Sequence, residues 1–374
     1  MAYNMVFVVT AVMLLMTAPA LAAHTDNFGG RKAFLNIATV GTILSYTAAA
    51  LFAIYGGPII AAFLFFLLGQ YFYQMLFIFY EPLINDLSDE SHRARASGFG
   101  QFCNSIGMIT GLAISLPMVE AGGRLASLLP AVGLFALFAL PMMVLYREGR
   151  LVAGDLRAPV LSGARRAPAT NGRRLPRPKL GFDWKRFKHF MLNSTATPVL
   201  LAIFFYANAL NTITNNYSIY ADKVLSMSDE MTTLILIVVQ IAAALGALGI
   251  GFIGDRLGVR RCLSGILWIW ALLIPTISLV SALPVFYILA GILGATIGAG
   301  WTIARAYVST CLDKDSVGYG FSFYTIFERF SSIIGPLAWG GIIMMGGGHR
   351  LAMFSMVGFI IVGMIMLRLK NHVR

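Results

Sequence analysis

About eleven apolar stretches follow one another along the chain, and each is long enough to cross a lipid bilayer as a helix. They cover residues 3–22, 33–54, 58–80, 98–119, 125–146, 196–220, 231–252, 262–281, 284–304, 320–345 and 350–368. Only 12% of the residues are charged, whereas a soluble domain has about 25%. Because the stretches are continuously apolar and do not alternate, they predict helices and not the strands of a barrel. The sequence therefore predicts an all-α polytopic membrane protein.

Basic residues are concentrated in one alternate set of the segments that connect the apolar stretches. This set contains Arg31/Lys32, Arg93/Arg95, residues 147–195, Arg256/Arg260/Arg261, Arg305/Lys314 and the tail with Arg368, Lys370 and Arg374. The opposite set carries only Arg124, Lys223 and Arg350. By the positive-inside rule the basic set is cytoplasmic, and so is the C-terminus. Membrane orientation therefore explains the net charge of +12, and we expect no nucleic-acid partner.

Residues 147–195 form the long polar segment of the chain. Prolines and like charges prevent a packed core, so the segment is predicted to be a disordered cytoplasmic linker. It separates an N-terminal helical bundle, residues 1–146, from a C-terminal six-helix bundle, residues 196–374. The end of the linker mixes Trp184 and Phe187 with lysine and arginine, which is typical of a short helix on a membrane surface. A topology anchor is the plain interpretation, and binding to anionic lipid headgroups is the functional alternative.

One short motif occurs twice, each time in a polar break between two apolar stretches. Residues 26–32 and 255–261 both read Asp-x-x-Gly-x-Arg followed by Lys or Arg. The acid can cap the following helix, and the glycine permits a tight turn. Two copies with identical spacing favour a latch that holds one conformation, over a plain turn with topology charges. The predicted conformational gate contains Asp26, Gly29, Arg31, Asp255, Gly258, Arg260 and Arg305.

The second copy, within residues 251–261, resembles the signature loop of the major facilitator superfamily, Gly-x-x-x-Asp-x-x-Gly-x-Arg-Lys. The first copy departs from it, since Ala22 stands where the leading glycine is usual. The resemblance implies two helical bundles around a central site and transport by alternating access. Because the first copy follows the first apolar stretch, we expect about eleven helices, with the first helix of the family absent before Met1. A truncated gene model is the simplest explanation, and a genuine eleven-helix protein is the alternative.

Other stretches resemble one branch of that superfamily, the vacuolar amino-acid effluxers linked to autophagy and their bacterial relatives. The similar stretches are residues 81–86, 95–100, 320–324, and Arg329 followed by Gly335-Pro336. The resemblance implies an amino-acid substrate, export, and location in a bacterial inner membrane. The branch usually carries Tyr-x-Asp-Gly in its seventh helix, whereas residues 206–209 read Tyr-Ala-Asn-Ala. Asn208 thus replaces a carboxylate, and coupling through that position is in doubt.

Two ionisable residues interrupt the apolar stretch 320–345, and such residues are expensive within a membrane and usually functional. Arg329 is the candidate for binding an anionic group of a substrate, because guanidinium binds carboxylates through two parallel hydrogen bonds. Glu328 is the candidate for proton coupling. The plain alternative is that both have structural partners on other helices. Glu81 is interpreted as a gate charge in preference to a proton carrier, and Arg305 is expected to contact Asp255.

The stretch 196–220 carries a stripe of amides. Asn208, Asn211 and Asn215 recur at helical spacing and therefore share one face. A face of amides is not stable against lipid, so it must meet either an aqueous cavity or another helix. We favour lining of a substrate cavity, and interhelical hydrogen bonding is the alternative.

Energising and catalytic motifs are absent from the sequence. It contains no Gly-x-x-x-x-Gly-Lys-(Ser/Thr) for ATP, its histidines are scattered, and its three cysteines show no metal or disulfide spacing. We therefore expect no enzyme activity, no metal and no cofactor. The predicted function is secondary active transport of a small polar metabolite, favoured to be an amino acid, with protons as a candidate coupling ion. A sugar or drug exporter, or a non-transporting receptor or scaffold, are the alternatives.

Overall fold

The computed structural model describes residues 2–146, 183–313 and 316–368. All regular structure in these ranges is helical. The α-helices are α1 Ala2–Phe28, α2 Arg31–Ile54, α3 Ile59–Tyr80, α4 Leu83–Leu87, α5 Arg93–Gly122, α6 Leu128–Leu145, α7 Trp184–Asn193, α8 Thr197–Leu225, α9 Asp229–Leu257, α10 Val259–Leu279, α11 Leu283–Cys311, α12 Val317–Met344 and α13 Gly348–Arg368. The predicted disorder of residues 147–182, like the tail after residue 368, lies outside the described residues.

The helices confirm the predicted fold class. In the described ranges, 10 helices are long and apolar enough to cross a membrane. The 28-residue α12, which carries Glu328 and Arg329, is equally long and brings the number of spanning helices to the expected eleven. One face of α6 carries exposed apolar side chains, as a helix in contact with lipid requires: Leu137, Leu140 and Val144 are all exposed.

The spanning helices form two bundles. In the first, α2 packs on α3 and α6, and α1 packs on α3. In the second, α8 packs on α12 and α13, while α11 packs on α9 and α10. The bundles meet where α1 contacts α12 and where α5 contacts α9 and α11. Each helix that ends in a motif copy, α1 or α9, therefore packs against a helix of the other bundle, which gives the two halves equivalent contacts.

Small residues allow the bundles to approach closely along α5 and α9. A Cβ atom added to Gly98 would lie 2.5 Å from the carbonyl oxygen of Ala247. A Cβ atom added to Gly251 would lie 3.0 Å from the carbonyl oxygen of Ala94. Glycine at both positions therefore lets the backbones of the two helices touch, the usual way in which membrane helices pack.

Both motif copies begin inside a helix and not in a loop as predicted. Asp26 lies in the last turns of α1, and Asp255 lies in the last turn of α9. The turns themselves are short. Gly29 and Gly30 have φ of 73° and 84°, and Gly258 has φ of 89°, a left-handed backbone that glycine adopts without strain. The helices thus bring both acids close to the bundle interface.

Candidate functional site

Asp26 connects the two bundles at the end of the molecule where both motifs lie, called the motif end below. Its Oδ1 accepts a hydrogen bond from the backbone N–H of Gly318 at 2.9 Å, and its Oδ2 accepts one from Tyr319 at 2.8 Å. These are free N–H groups of the first turn of α12. Asp26 of the first bundle therefore caps a helix of the second bundle.

Asp255 makes the equivalent contact in the opposite direction. Its Oδ1 accepts a hydrogen bond from the backbone N–H of Ala94 at 3.0 Å, and its Oδ2 lies 2.9 Å from Nε of Arg95. Both partners belong to the first turn of α5. An acid of the second bundle thus caps a helix of the first, and the two motif copies form a reciprocal pair.

The expectation that each acid caps the helix that follows it is wrong. The residue before α2 is Gly30 and the residue before α10 is Gly258, and neither helix receives a side-chain cap. A carboxylate in the last turn of its own helix faces the negative end of that helix dipole. It is stabilised instead by the positive N-terminal end of a neighbouring helix, which here belongs to the other bundle.

The basic residues of the two motif copies have different partners. Arg31 lies 3.0 Å from Asp26 and 3.0 Å from Asp86, so it holds the first acid in place. Arg260 donates to the carbonyl oxygen of Leu367 at 3.4 Å, near the end of α13. The arginines therefore support their own bundles, while the acids join one bundle to the other.

Arg305 does not contact Asp255 as expected, but pairs with Glu81. Its guanidinium contacts both carboxylate oxygens of Glu81, with Nη2 at 3.0 Å from Oε1 and Nε in contact with Oε2. Glu81 follows the last turn of α3 and its side chain is 2% exposed, whereas Arg305 lies on α11. The pair therefore joins the first bundle to the second at a buried position.

Further hydrogen bonds across the bundles surround this ion pair. Ser97 donates to the carbonyl oxygen of Thr302 at 2.8 Å, and Arg93 donates to that of Ser309 at 3.2 Å. The hydroxyl of Ser309 also contacts the side-chain oxygen of Asn85. Together with the two capping acids, these contacts close the motif end.

A cavity of about 740 Å³ lies between the bundles on the inner side of the Glu81–Arg305 pair. The first bundle contributes residues of α2, α3, α5 and α6, most of them apolar or aromatic. The second bundle contributes residues of α11 and α12: Trp301, Arg305, Tyr324, Glu328 and Arg329. Three of the four charged side chains of the cavity therefore lie on the second bundle, and Glu81 is the one on the mostly apolar wall of the first.

Glu328 and Arg329 both line this cavity, and neither points into lipid. Their side chains are 21% and 26% exposed, and the closest approach of their charged atoms is 3.9 Å. The guanidinium of Arg329 lies over the ring of Phe77 on α3, 4.8 Å from its centre, a cation–π contact across the bundles. Sequence reasoning missed Phe77, because nothing in an aromatic-rich helix distinguishes it from its neighbours.

Asn208 does not line the cavity, so that interpretation is wrong for this residue. Its side chain is fully buried and hydrogen-bonded between helices. Its Oδ1 accepts from the backbone N–H of Gly335 on α12 at 2.8 Å, and its Nδ2 donates to Phe204 at 2.7 Å. Pro336 follows in α12, and a proline ring disturbs the preceding turn of a helix. Asn208 thus holds α8 against the proline-containing segment of α12.

The other two amides of the stripe also lie away from the cavity. Asn211 donates to the hydroxyl of Ser331 on α12 at 3.0 Å, and Asn215 is exposed. Asn208 and Asn211, which helical spacing placed on one face, both meet α12 and not the cavity. The alternative of interhelical hydrogen bonding therefore describes these two residues.

Two helical bundles that close at one end through reciprocal caps and enclose a cavity with ionisable side chains define a transporter of the major facilitator type. Solved structures of this type share the fold. The human organic anion transporter MFSD10 (TETRAN) has a TM-score of 0.74 at 14% identity, covering 97% of this chain and 83% of that one. The transporter FucP from Escherichia coli, in its outward conformation, has a TM-score of 0.73 at 14% identity, covering 98% and 89%.

The chain belongs to the family described as vacuole effluxer Atg22 like, which it matches over residues 85–374. It is also similar to the uncharacterized MFS-type transporter YxiO of Bacillus subtilis (strain 168), with 23% identity over 371 residues. That similarity covers 96% of this chain and 82% of YxiO. The resemblance inferred from residues 81–86, 251–261 and 320–324 is therefore confirmed, and the chain is a multi-pass membrane transporter.

Proposed function

We propose that the protein moves an amino acid across the membrane by alternating access, with the motif end on the cytoplasmic side. The observation that carries this proposal is the cavity between the bundles, where Glu328 and Arg329 stand side by side. Because the motif end is closed, substrate can enter or leave the cavity only from the other face of the membrane. The family description, an effluxer, supports export as the direction.

The chemistry of the cavity suits a zwitterion. The guanidinium of Arg329 offers parallel N–H groups to a substrate carboxylate, and the carboxylate of Glu328 offers a partner to an ammonium group. Phe135, Phe138 and Met108 form part of the opposite wall and suit an apolar side chain. A neutral sugar would leave one or both charges of the adjacent pair without a matching group.

Proton coupling is part of the proposal, with Glu328 as the carrier named by sequence analysis. Its side chain is partly exposed in the cavity, so water and protons can reach it. Replacement of Glu328 by glutamine tests this role in proteoliposomes with an imposed pH gradient. Transport that stays fully dependent on the gradient in this variant would remove Glu328 as the carrier.

Anionic lipid headgroups are the proposed partner of α7. Phe187 and Phe190 pack on Phe323 of α12, with ring centres 5.1 and 5.4 Å away. The opposite face of α7 exposes lysines beside Trp184, the composition of helices that lie on an anionic membrane.

Counterflow in proteoliposomes tests the substrate class without requiring a gradient. Vesicles are loaded with unlabelled amino acids, sugars or cationic dyes, and entry of the labelled compound is followed. We expect exchange of amino acids, and its loss by at least about tenfold in Arg329→Ala, with Arg329→Lys retaining part of it. Arg368→Gln, an exposed arginine at the end of α13, serves as the control. Exchange of sugars or dyes alone would support another exporter, and absence of any exchange would support a receptor or scaffold.

A further inference from the structure

The Glu81–Arg305 pair links the cavity to the closed motif end. Both residues line the cavity, and each belongs to a different bundle. Asp26 and Asp255 also join the bundles, but neither lines the cavity described above. Their carboxylates are held by backbone N–H groups and by nearby arginines. Glu81 is therefore the acid joining the bundles that borders the cavity.

Several titratable and charged groups surround Glu81, and they come from each helix that borders it. They are Tyr80 on α3, Cys103 on α5, Arg305 on α11, and Tyr324, Glu328 and Arg329 on α12. Arg305 is the one group among them in contact with both carboxylate oxygens of Glu81. Arg305 thus stabilises the ionised carboxylate of Glu81, and the ion pair exists only while Glu81 is ionised.

Opening of the motif end must separate α3 from α11 and therefore break this pair. Two unpaired charges left in a membrane interior are strongly unfavourable, so the closed state is stabilised while Glu81 is ionised. Protonation of Glu81 neutralises its carboxylate, so separating it from Arg305 no longer leaves an unpaired carboxylate in the membrane interior. Arg305 then keeps its charge within the second bundle. Glu328 belongs to the same bundle and lines the same cavity, so it does not join the two bundles.

We infer that Glu81 is the proton-binding group that controls opening of the motif end. This inference rests on the proposed alternating access and assigns Glu81 to the opening step, separate from the carrier role proposed for Glu328. The proton comes from water in the cavity and binds a carboxylate oxygen of Glu81, and Arg305 is released. Protonation of Glu328 would break no comparable contact, because its 3.9 Å neighbour Arg329 belongs to the same helix. Glu81 is thus the acid whose protonation changes the contacts between the bundles.

A distance measurement across the motif end tests this inference without knowledge of the substrate. Spin labels are placed at Leu87→Cys on α4 and Leu257→Cys on α9, which are 70% and 58% exposed. The background lacks Cys103, Cys262 and Cys311, and the full chain is studied in lipid nanodiscs. Double electron–electron resonance then gives the ratio of open to closed molecules in mildly alkaline and mildly acidic buffer.

We expect acidification to raise the open-to-closed ratio of the wild type by at least about tenfold. Glu81→Gln should show the open population at both pH values, whereas Asp222→Asn, at an exposed acid near the end of α8, should keep the response of the wild type. Glu81→Asp keeps the ionisable group and should restore at least part of the pH response. Such a restored response would show that the response lost in Glu81→Gln is not due to misfolding.

A Glu81→Gln variant with the pH response of the wild type would overturn the inference, as would a response lost in Glu328→Gln alone. The counterflow screen distinguishes this failure from that of the proposed function. If the wild type exchanges amino acids and Glu81→Gln keeps the pH response, the transporter assignment stands and only the role of Glu81 is removed. Absence of exchange for every compound removes the transporter assignment itself.

Discussion

An aspartate near the C-terminal end of a helix is an unfavourable choice for that helix alone, because the helix dipole is negative there. Asp26 and Asp255 both occupy such a position, and both carboxylates are nearly buried, with 5% exposure. Each gains charge-assisted hydrogen bonds from the first turn of a helix in the other bundle. In the proposed alternating access, opening of the motif end would remove this offset, so we expect both contacts to depend on conformation.

Gly318 should be sensitive to substitution for this reason. A Cβ atom there would lie 2.5 Å from Oδ1 of Asp26, so Gly318→Ala must displace the carboxylate from the N–H groups that it caps. We expect a loss of about 1–3 kcal/mol in the free energy of unfolding, measured by thermal denaturation in detergent. Gly340→Ala is the matched control, since it lies in the same helix and has no atom within 4 Å of the added Cβ. Equal stability of the two variants would contradict the role of Asp26 as a cap.

Asn208 allows a second test at this scale. Asn208→Ala leaves the buried N–H of Gly335 without its partner and should destabilise the protein by about 1–3 kcal/mol. Asn208→Asp can keep both hydrogen bonds when its carboxyl group is protonated, with one oxygen accepting from Gly335 and the O–H donating to Phe204. We therefore expect a smaller loss for the aspartate in thermal denaturation. A larger loss for aspartate than for alanine would show that the hydrogen bond to Gly335 is not what Asn208 contributes.

At the scale of helices, hydropathy predicted the spanning elements well, because a bilayer imposes both a length and an apolar composition on each of them. Hydropathy did not predict where the helices begin and end. The helices α1 and α9 continue through Asp26 and Asp255, and α5 begins at Arg93, because contacts with the other bundle satisfy these polar residues. The local sequence does not show which residues of the other bundle will contact these polar side chains.

The same limit applies to the candidate site. Glu328 and Arg329 were found because charges within a spanning helix are rare enough to indicate a cavity. Asn208 and Asn211 were correctly predicted to share one helical face, but that face was expected to line a cavity, and both amides contact α12 instead. Periodicity defines which side chains share a face and leaves open whether that face meets water or a helix. The pairing of Glu81 with Arg305, far apart in the chain, could only be seen in the folded structure.

The short helix α7 provides a prediction at the scale of an element. Asp183 caps its N-terminus, and its Arg186 lies over the ring of Tyr319, 4.3 Å from the centre. Lys185 and Lys188 remain exposed on the outer face. In nanodiscs we expect hydrogen exchange of residues 184–193 to be slower with phosphatidylglycerol than with phosphatidylcholine, because anionic headgroups attract both lysines.

The double variant Lys185→Gln/Lys188→Gln should lose most of this difference between the two lipids. Lys223→Gln, an exposed lysine at the end of α8, provides the matched control and should keep it. Exchange that is equal in both lipids for the wild type would contradict an anionic membrane as the partner of α7. Contacts of α7 with Tyr319 and Phe323 would then remain as its structural role.

At the scale of the whole molecule, the two motif copies form equivalent halves of one closure. Asp26 joins α1 to α12, and Asp255 joins α9 to α5, so the donor and acceptor bundles are exchanged between the two contacts. A rigid-body movement that opens the motif end must break both contacts and the Glu81–Arg305 pair between them. Their contributions should therefore add in the equilibrium between closed and open molecules, provided that each acts independently.

Asp26→Asn and Asp255→Asn test this addition. Each loses the charge that strengthens its hydrogen bonds, and we expect each to shift the equilibrium towards the open state by about 1.5–3 kcal/mol. The double variant should shift it by about the sum, as measured by the distance between spin labels at Leu87→Cys and Leu257→Cys. Asp86→Asn is the control, because Asp86 is 45% exposed and contacts Arg31 within its own bundle, so its effect should be small. A double variant no more open than either single variant would mean that one contact alone holds the motif end, and that the repeated motif does not act as a reciprocal latch.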